Sequence, residues 1–243
     1  MPFTDDVPWS AAGLLLAWEE GAAADDLERP LILLHRAGLV PAGDRPERWP
    51  IGQRDARLIA LYDMTFGKHV RGTAPCRSCG NPIEIEFDLD LIRSTWGDAD
   101  TRVELITADD RRLQLRLPST EDLRGCKGFA SAEEAATALT LACVTPPSAI
   151  QTLAGEALDA IDQAMASRDP QSQVQLQARC PGCDTAAVVP FDIADYLWRQ
   201  MVRSARRILA DVHLLASAYG WSERDIIAMP SARRQQYLEM IWD

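Results

Sequence analysis

The spacing of apolar positions divides the chain into helical and extended stretches. Near the start, Leu14, Leu15, Leu16 and Trp18 begin one helical stripe. Leu31, Leu33, Leu34 and His35 form another, stopped by Gly38 and Pro41. A third runs from Arg54 to Phe66, with Leu58, Ile59, Leu61 and Met64 at helical spacing. The proline and glycine clusters at 41–50 read as loop. At 102–117 the period changes: Val103 and Leu105 alternate with polar residues, Ala108-Asp109-Asp110 interrupts, and Leu113, Leu115 and Leu117 resume. This pattern predicts a β-hairpin that Pro118 ends.

Ser131-x-x-Glu134 predicts a capping box opening a helix that ends near Cys143. Ile150, Leu153, Leu158, Ile161 and Met165 continue at helical spacing, and Val174, Leu176 and Ala178 return to strand alternation. The C-terminal third is the most regular. Leu197, Met201, Ala205, Ile208, Val212, Leu215 and Tyr219 keep one face apolar, and Gly220 stands where a helix-ending glycine belongs. Ser222-x-x-Asp225 opens a short helix, Pro230 stops it, and Ser231 is placed to cap a last helix carrying Tyr237, Leu238 and Ile241.

Two short segments carry the candidate chemistry. Cys76-Arg77-Ser78-Cys79 and Cys180-Pro181-Gly182-Cys183 are each followed, at the same offset, by Phe-Asp: Phe87-Asp88 and Phe191-Asp192. Every landmark recurs 104 residues later, so the pattern is an internal repeat. Two such loops at hairpin tips can present four thiolates to one tetrahedral Zn²⁺. Gly80 and Asp184 follow the second cysteine of each pair, where positive φ is common and both residue types tolerate it. Ile83, Ile85 and Phe87 after one pair, and Val188 and Val189 after the other, predict the strands that complete each unit.

The 100 residues between the pairs exceed the usual ~15–20 of a zinc ribbon. The predicted hairpin and helices would then be inserted into a split ribbon. Thioredoxin-like chemistry wants a helix after the pair, a disulfide wants an oxidising compartment, and a catalytic zinc wants an open position. These remain the weaker alternatives. His69 lies near the first pair without a counterpart at the second. The reading is a structural zinc held by Cys76, Cys79, Cys180 and Cys183, with Cys126 and Cys143 as small core residues. Asp88 and Asp192 are expected to cap the segments that follow them.

Composition narrows the function class. Apolar residues make up 47% of 243, enough for a real core in one or two domains. The net charge of −11 argues against generic binding to nucleic acid or anionic membrane. No apolar run approaches the ~18–20 residues of a membrane span, and the acidic start MPFTDDVPW is unlike a signal peptide. A soluble, cytoplasmic protein is expected. Residues 1–30 hold seven acids and one arginine, whereas 199–234 hold seven arginines and three acids. Either these are two solvated faces, or they serve intramolecular docking or different partners.

No nucleophile elbow, phosphate-binding glycine loop, H-E-x-x-H or dinucleotide fingerprint is present. No catalytic residue and no small-molecule substrate are assigned, and a non-enzymatic protein is expected. LASAYGWSERDIIAMP loosely resembles a helix-turn-helix, which keeps open the alternative of a zinc-ribbon nucleic-acid-binding or regulatory protein using the arginine-rich helices. Against it, the last helix lacks a polar base-reading start, and the N-terminal third is acidic.

Several segments together resemble a known family. They are PIGQRDARLIALYDMTFG, the two cysteine-pair units, LRLPSTEDL, and above all LWRQMVRSARRILADVHLLASAYGWSERDIIAMPSARRQQYLEMI. In order and character these are similar to the baseplate hub assembly proteins of T-even-like contractile phage tails and their relatives in bacterial contractile injection systems. T-even members are not marked by the paired cysteines, so the chain resembles a zinc-bearing bacterial branch. The resemblance implies a non-enzymatic chaperone or minor component that contacts baseplate, hub or spike proteins. The C-terminal helices would dock into a partner groove, with Tyr219, Trp221, Ile226, Tyr237 and Trp242 on or under the docking surface. The expected fold is α+β and mainly helical: a helical region at 1–70, a split four-cysteine zinc-ribbon core with inserted hairpin and helices at 71–195, and a helical tail at 196–243.

Overall fold

The computed structural model describes residues 9–93, 102–106, 112–145 and 155–242. The helices are α1 (Ala11–Ala23), α2 (Arg29–Arg36), α3 (Ile51–Phe66), α4 (Thr120–Gly125), α5 (Ala132–Ala142), α6 (Gly155–Arg168), α7 (Ile193–Tyr219), α8 (Glu223–Ala228) and α9 (Ser231–Trp242). The strands are β1 (His69–Pro75), β2 (Pro82–Asp88), β3 (Arg102–Ile106), β4 (Arg112–Arg116), β5 (Val144–Thr145), β6 (Gln175–Arg179) and β7 (Ala186–Pro190). The fold is α+β and mainly helical. Its sheets are the pair β1-β2, the triplet β3-β4-β5 and the pair β6-β7. Among the described residues no helix is long and apolar enough to cross a membrane.

The chain forms two compact units. One takes in the described residues up to Pro41, Leu58–His69, and those from Ile193 onward. It is built on α7, whose buried positions Ile193, Leu197, Met201, Ala205, Ile208 and Leu215 keep the predicted helical period. Leu14, Ala17, Leu33 and Leu34 bury the facing stripes of α1 and α2. Gly21 is required here, because a Cβ would lie 2.5 Å from the Trp198 ring. The Arg29 guanidinium sits 4.9 Å from the centre of the same ring, and its Nε donates to the Gly21 carbonyl at 3.0 Å. The ion pairs described for this unit lie within its N-terminal part, Arg36 with Glu20 and Arg29 with Asp26, or within its C-terminal part, Arg199 with Asp195 and the largely buried Arg234 with Asp211 at 3.1 Å. Its N- and C-terminal parts are therefore joined chiefly by packing.

The C-terminal turns follow the sequence closely. Gly220 has φ 67° and ends α7. The Ser222 hydroxyl accepts from the Asp225 N–H at 3.2 Å and opens α8. Ser231 differs from expectation. The Arg234 N–H donates to the Pro230 carbonyl at 3.0 Å, so Ser231 is the first helical residue and Pro230 the capping one.

The second unit holds Ala42–Arg57 and Val70–Asp192. The predicted hairpin forms, with Val103 opposite Leu115 and Leu105 opposite Leu113; its interrupting residues 108–110 lie outside the described residues. Leu113, Leu115 and Leu117 share a core with Cys143, Val144, Ile161 and Met165. Cys143 is fully buried there, which pushes its thiol up to about 11, and Cys126 is half-buried at the end of α4. The short β5 adds a third strand that periodicity could not show. The expected start of α5 is present, as Ser131 accepts from the Glu134 N–H; the Glu134 carboxylate takes the Ala130 N–H instead of closing the box. The full capping box is at Ser119–Asp122, where Arg116 also clasps the Asp122 carboxylate with two 2.6 Å bonds. α6 begins at Gly155, and Ile150 and Leu153 lie outside the described residues.

Helix α3 starts at Ile51, three residues before its apolar stripe. The cause is tertiary. The Ile51 N–H donates to the Pro118 carbonyl at 2.9 Å, and the Gly52 N–H donates to the carboxylate of Asp169 at 2.9 Å. A carboxylate supplied from far along the chain thus satisfies the free donors and the positive end of the helix. A Cβ on residue 52 would lie 1.7 Å from Asp169 Oδ1, and Asp169 is only 1% exposed. Gly52→Ala is therefore expected to cost about 2–4 kcal/mol in urea unfolding, through overpacking and the lost bond. A cost near zero would mean that Asp169 moves aside freely.

Just beyond, Arg54 and Asp55 pair at 2.8 Å with both side chains under 10% exposed. Burial pushes the Asp55 carboxyl up to about 6, opposed by the Arg54 charge and hydrogen bond and reinforced by Asp192 and Asp169. Below about pH 4 folded and unfolded chains both hold the proton, and the contribution to stability is complete. From there to about pH 6 the unfolded chain ionises first, so stability falls as pH rises. Asp55→Asn is expected to flatten this part of the stability–pH curve, measured by denaturant titration at each pH; an unchanged slope assigns it to another group.

Candidate metal centre

Each half of the repeat folds into a hairpin whose tip is a cysteine knuckle. In the first, the Cys76 N–H donates to the Asn81 carbonyl at 2.8 Å and the Gly80 N–H to the Cys76 carbonyl at 2.8 Å. In the second, the Cys180 N–H donates to the Thr185 carbonyl at 3.0 Å and the Asp184 N–H to the Cys180 carbonyl at 2.9 Å. The two sets correspond through the sequence shift of 104. Gly80 has φ 77° and Asp184 φ 55°, the left-handed turn expected after each second cysteine.

The knuckles meet. The sulfurs of Cys76, Cys79, Cys180 and Cys183 all lie within 4.8 Å of one another. Cys76 Sγ is 3.7 Å from Cys183 Sγ, and Cys79 Sγ is 3.5 Å from Cys180 Sγ. Shifting either pair by the repeat gives the other, so the centre has an internal quasi-twofold relation. The separations are too long for a disulfide. They match the edge of about 3.8 Å expected for a tetrahedron of thiolates around a zinc-sized ion at ~2.3 Å. Cys76 and Cys180 are buried, while Cys79 and Cys183 face solvent. Ile83 packs against the buried pair with Ile85, Ala178 and Ala187 around it.

The surroundings hold two of the thiols toward thiolate and a third away from it: the Asn81 N–H draws Cys79 down, but the Cys183 and Cys180 sulfurs and burial push it up to about 12. Backbone N–H groups of Cys79 and Ser78 hold the Cys76 thiol below its usual value. The Thr185 hydroxyl and then its N–H, with Cys79 adding to them, hold Cys183 down to about 6. Four thiolates this close repel one another and call for a cation, and the donor set suits a closed tetrahedral metal site. His69 is not part of this group among the described residues; its carbonyl accepts from the Tyr62 hydroxyl at 3.2 Å.

At Asp88 the Phe-Asp half of the repeat departs from expectation. Asp88 occupies the cap position of a 3-10 turn at Leu89–Leu91, yet its side chain makes no cap hydrogen bond. Asp192 directly precedes α7. The phenylalanines, to which the sequence pattern gave no role, meet edge to face with ring centres 5.1 Å apart. The only signal for that contact was their equal offset from the cysteines.

The proposed docking residues form a separate cluster. Tyr219 stacks on Trp221 at 4.6 Å, and Tyr237 packs edge-on to Trp221 at 4.8 Å. Tyr219 is exposed, and Trp221 and Tyr237 are half-buried. Ile226 is wholly buried beneath them with Leu215 and Leu238. Trp242 is the last helical residue, and its side chain lies outside the described residues.

The positive φ at residue 184 gives a direct test of the knuckle. Asp184→Gly is expected to leave stability equal or slightly higher, and Asp184→Val to cost about 1–2 kcal/mol, because a branched Cβ clashes in that conformation. Equal thermal midpoints for both variants would show that the turn is not held there. The exposed Arg179–Asp184 pair at 3.6 Å adds little to either result.

A family model described as T4 bacteriophage base plate protein matches residues 31–145. That segment runs from α2 to β5 and includes the first cysteine pair but neither the second pair nor the C-terminal helices, on which the resemblance seen in the sequence leaned most. No curated protein and no solved structure matches the chain. The family match supports a phage baseplate-related protein.

Proposed function

We propose that this chain is a non-enzymatic assembly factor, chaperone or minor component, for the baseplate hub of a contractile phage-tail-like injection system. The observation that carries the reading is the match of residues 31–145 to the base plate family. Zinc is the ion we assign to the four thiols, as a structural staple without a catalytic step. Sulfur separations of 3.5 and 3.7 Å and an all-cysteine donor set support that choice. Its partners would be baseplate, hub or spike proteins, met in the cytoplasm before or during incorporation into the particle. The aromatic cluster of Tyr219, Trp221 and Tyr237 is the contact surface proposed here, with Ile226 beneath as its support.

Two measurements test this together. The purified protein is expected to carry about one zinc per chain, and Cys76→Ser or Cys180→Ser to lose the metal and unfold at lower temperature. In cells assembling the particle, deletion of the chain is expected to reduce complete tails. Wild type should restore them, and Tyr219→Glu with Trp221→Glu should not. Normal tail yield in the deletion strain would remove the assembly role, and protein free of zinc with an unchanged melting point in Cys76→Ser would remove the staple.

A further inference from the structure

The four sulfurs differ in access, and the difference runs across the two hairpins. Cys79 and Cys183 are exposed, Cys76 and Cys180 buried. The contact of 3.7 Å between Cys76 and Cys183, and that of 3.5 Å between Cys79 and Cys180, each set one exposed sulfur beside one buried sulfur of the other hairpin. The hairpins also meet away from the sulfurs. Phe87 packs on Phe191 at 5.1 Å, and Ile83 and Ile85 lie with Ala178 and Ala187. A Cβ on Gly182 would stand 1.9 Å from the Asn81 amide nitrogen, so the second knuckle seats directly against the first. Packing of this kind keeps each exposed sulfur beside its buried neighbour independently of a bound ion.

We infer that the staple is exchangeable: hydrogen peroxide oxidises the four thiolates to two disulfides, Cys76–Cys183 and Cys79–Cys180, which keep the hairpins joined as the ion is released. The inference rests on the reading of the four thiols as a zinc staple. Exposure directs the oxidant to Cys79 and Cys183. The Cys183 thiolate attacks the peroxide. An S–O bond forms, the O–O bond breaks, and the displaced hydroxide takes a proton and leaves as water. The Cys76 thiolate then attacks that sulfur. The S–S bond forms, the S–O bond breaks, and a second hydroxide takes a proton and leaves as water. Cys79 and Cys180 react in the same way. Each pair of thiolates thus gives two electrons to one peroxide and uses two protons from solvent, while Zn²⁺ departs with its charge unchanged. Closing these contacts to the ~2.05 Å of an S–S bond moves each sulfur by less than about 1 Å. The pairing decides what oxidation does to the fold. A bond inside a knuckle spans neighbouring positions only, whereas these two span 107 and 101 positions and preserve the long-range tie.

The full-length protein is titrated with hydrogen peroxide. Released zinc is followed with a chromogenic chelator, and disulfides are mapped by mass spectrometry after trypsin digestion without reductant. Cleavage after Arg71, Arg77, Arg93, Arg179 and Arg199 puts Cys76, Cys79 and the Cys180–Cys183 segment on three separate peptides. Cross-hairpin bonds join all three, and fragmentation between Cys180 and Cys183 assigns each one. Bonds inside the knuckles join only the first two. Zinc is expected to leave in step with the loss of four thiols, at about two peroxides per chain. Cys76 should be found on Cys183 and Cys79 on Cys180. The thermal midpoint should lie about 10 °C above that of reduced, metal-free protein. A thiol reductant with added zinc should restore the starting state. Disulfides inside the knuckles, the opposite cross pairing, bonds to Cys126 or Cys143, or sulfinic acids in place of disulfides would overturn it. So would thiols that stay reduced with zinc retained, or a midpoint no higher than that of the reduced, metal-free protein. Zinc present at the start with any of these results removes the exchange alone. Protein that carries no zinc at the start removes the staple reading and the exchange with it.

Discussion

Two hairpins that the sequence separates by 100 residues meet at four sulfur atoms lying within 4.8 Å of one another. Everything between them has to leave one hairpin and return to the other. Tying two points that far apart removes about 4–5 kcal/mol of freedom from the unfolded chain on the loop-entropy account. Four thiolates without a cation would lose much of that to mutual repulsion. With a metal, closure of the loop becomes part of the folding free energy. The knuckle hydrogen bonds, the left-handed turns at Gly80 and Asp184, and the Phe87–Phe191 contact are all consequences of bringing the two copies of one motif face to face.

The helical unit is held by different means. Its joint between α1 and α7 depends on shape: a glycine where nothing larger fits, a tryptophan ring over it, and an arginine on the ring. Arg36 and Arg29 pair with acids of their own neighbourhood. The surface given a role is the aromatic cluster at the end of α7.

Much of this was legible in the residues. Period and caps placed α1, α2, α5, α7 and α8, the β3–β4 hairpin and the strands after each cysteine pair, because local burial and end-capping act over a few neighbouring positions. Boundaries failed where the partner came from elsewhere. Helix α3 gained a first turn from Asp169 and Pro118, and Ser231 gave up its capping place to the Pro230 carbonyl. Strand β5, two residues long, exists only as an addition to β4.

By itself the sequence determined the chemistry of the centre. A repeat of two cysteine pairs fixes four thiols, their turn geometry and a sulfur-only set of candidate donors, because those properties are local to each knuckle. It also determined which helices are amphipathic. Only the tertiary structure decided what those elements face. It paired the chain's N-terminal helices with α7–α9 in one unit, matched Phe87 with Phe191, and seated Gly21 under Trp198. Such contacts join residues far apart in sequence, and shape and solvent exposure, which choose among them, are properties of the folded surface that no stretch of sequence carries alone.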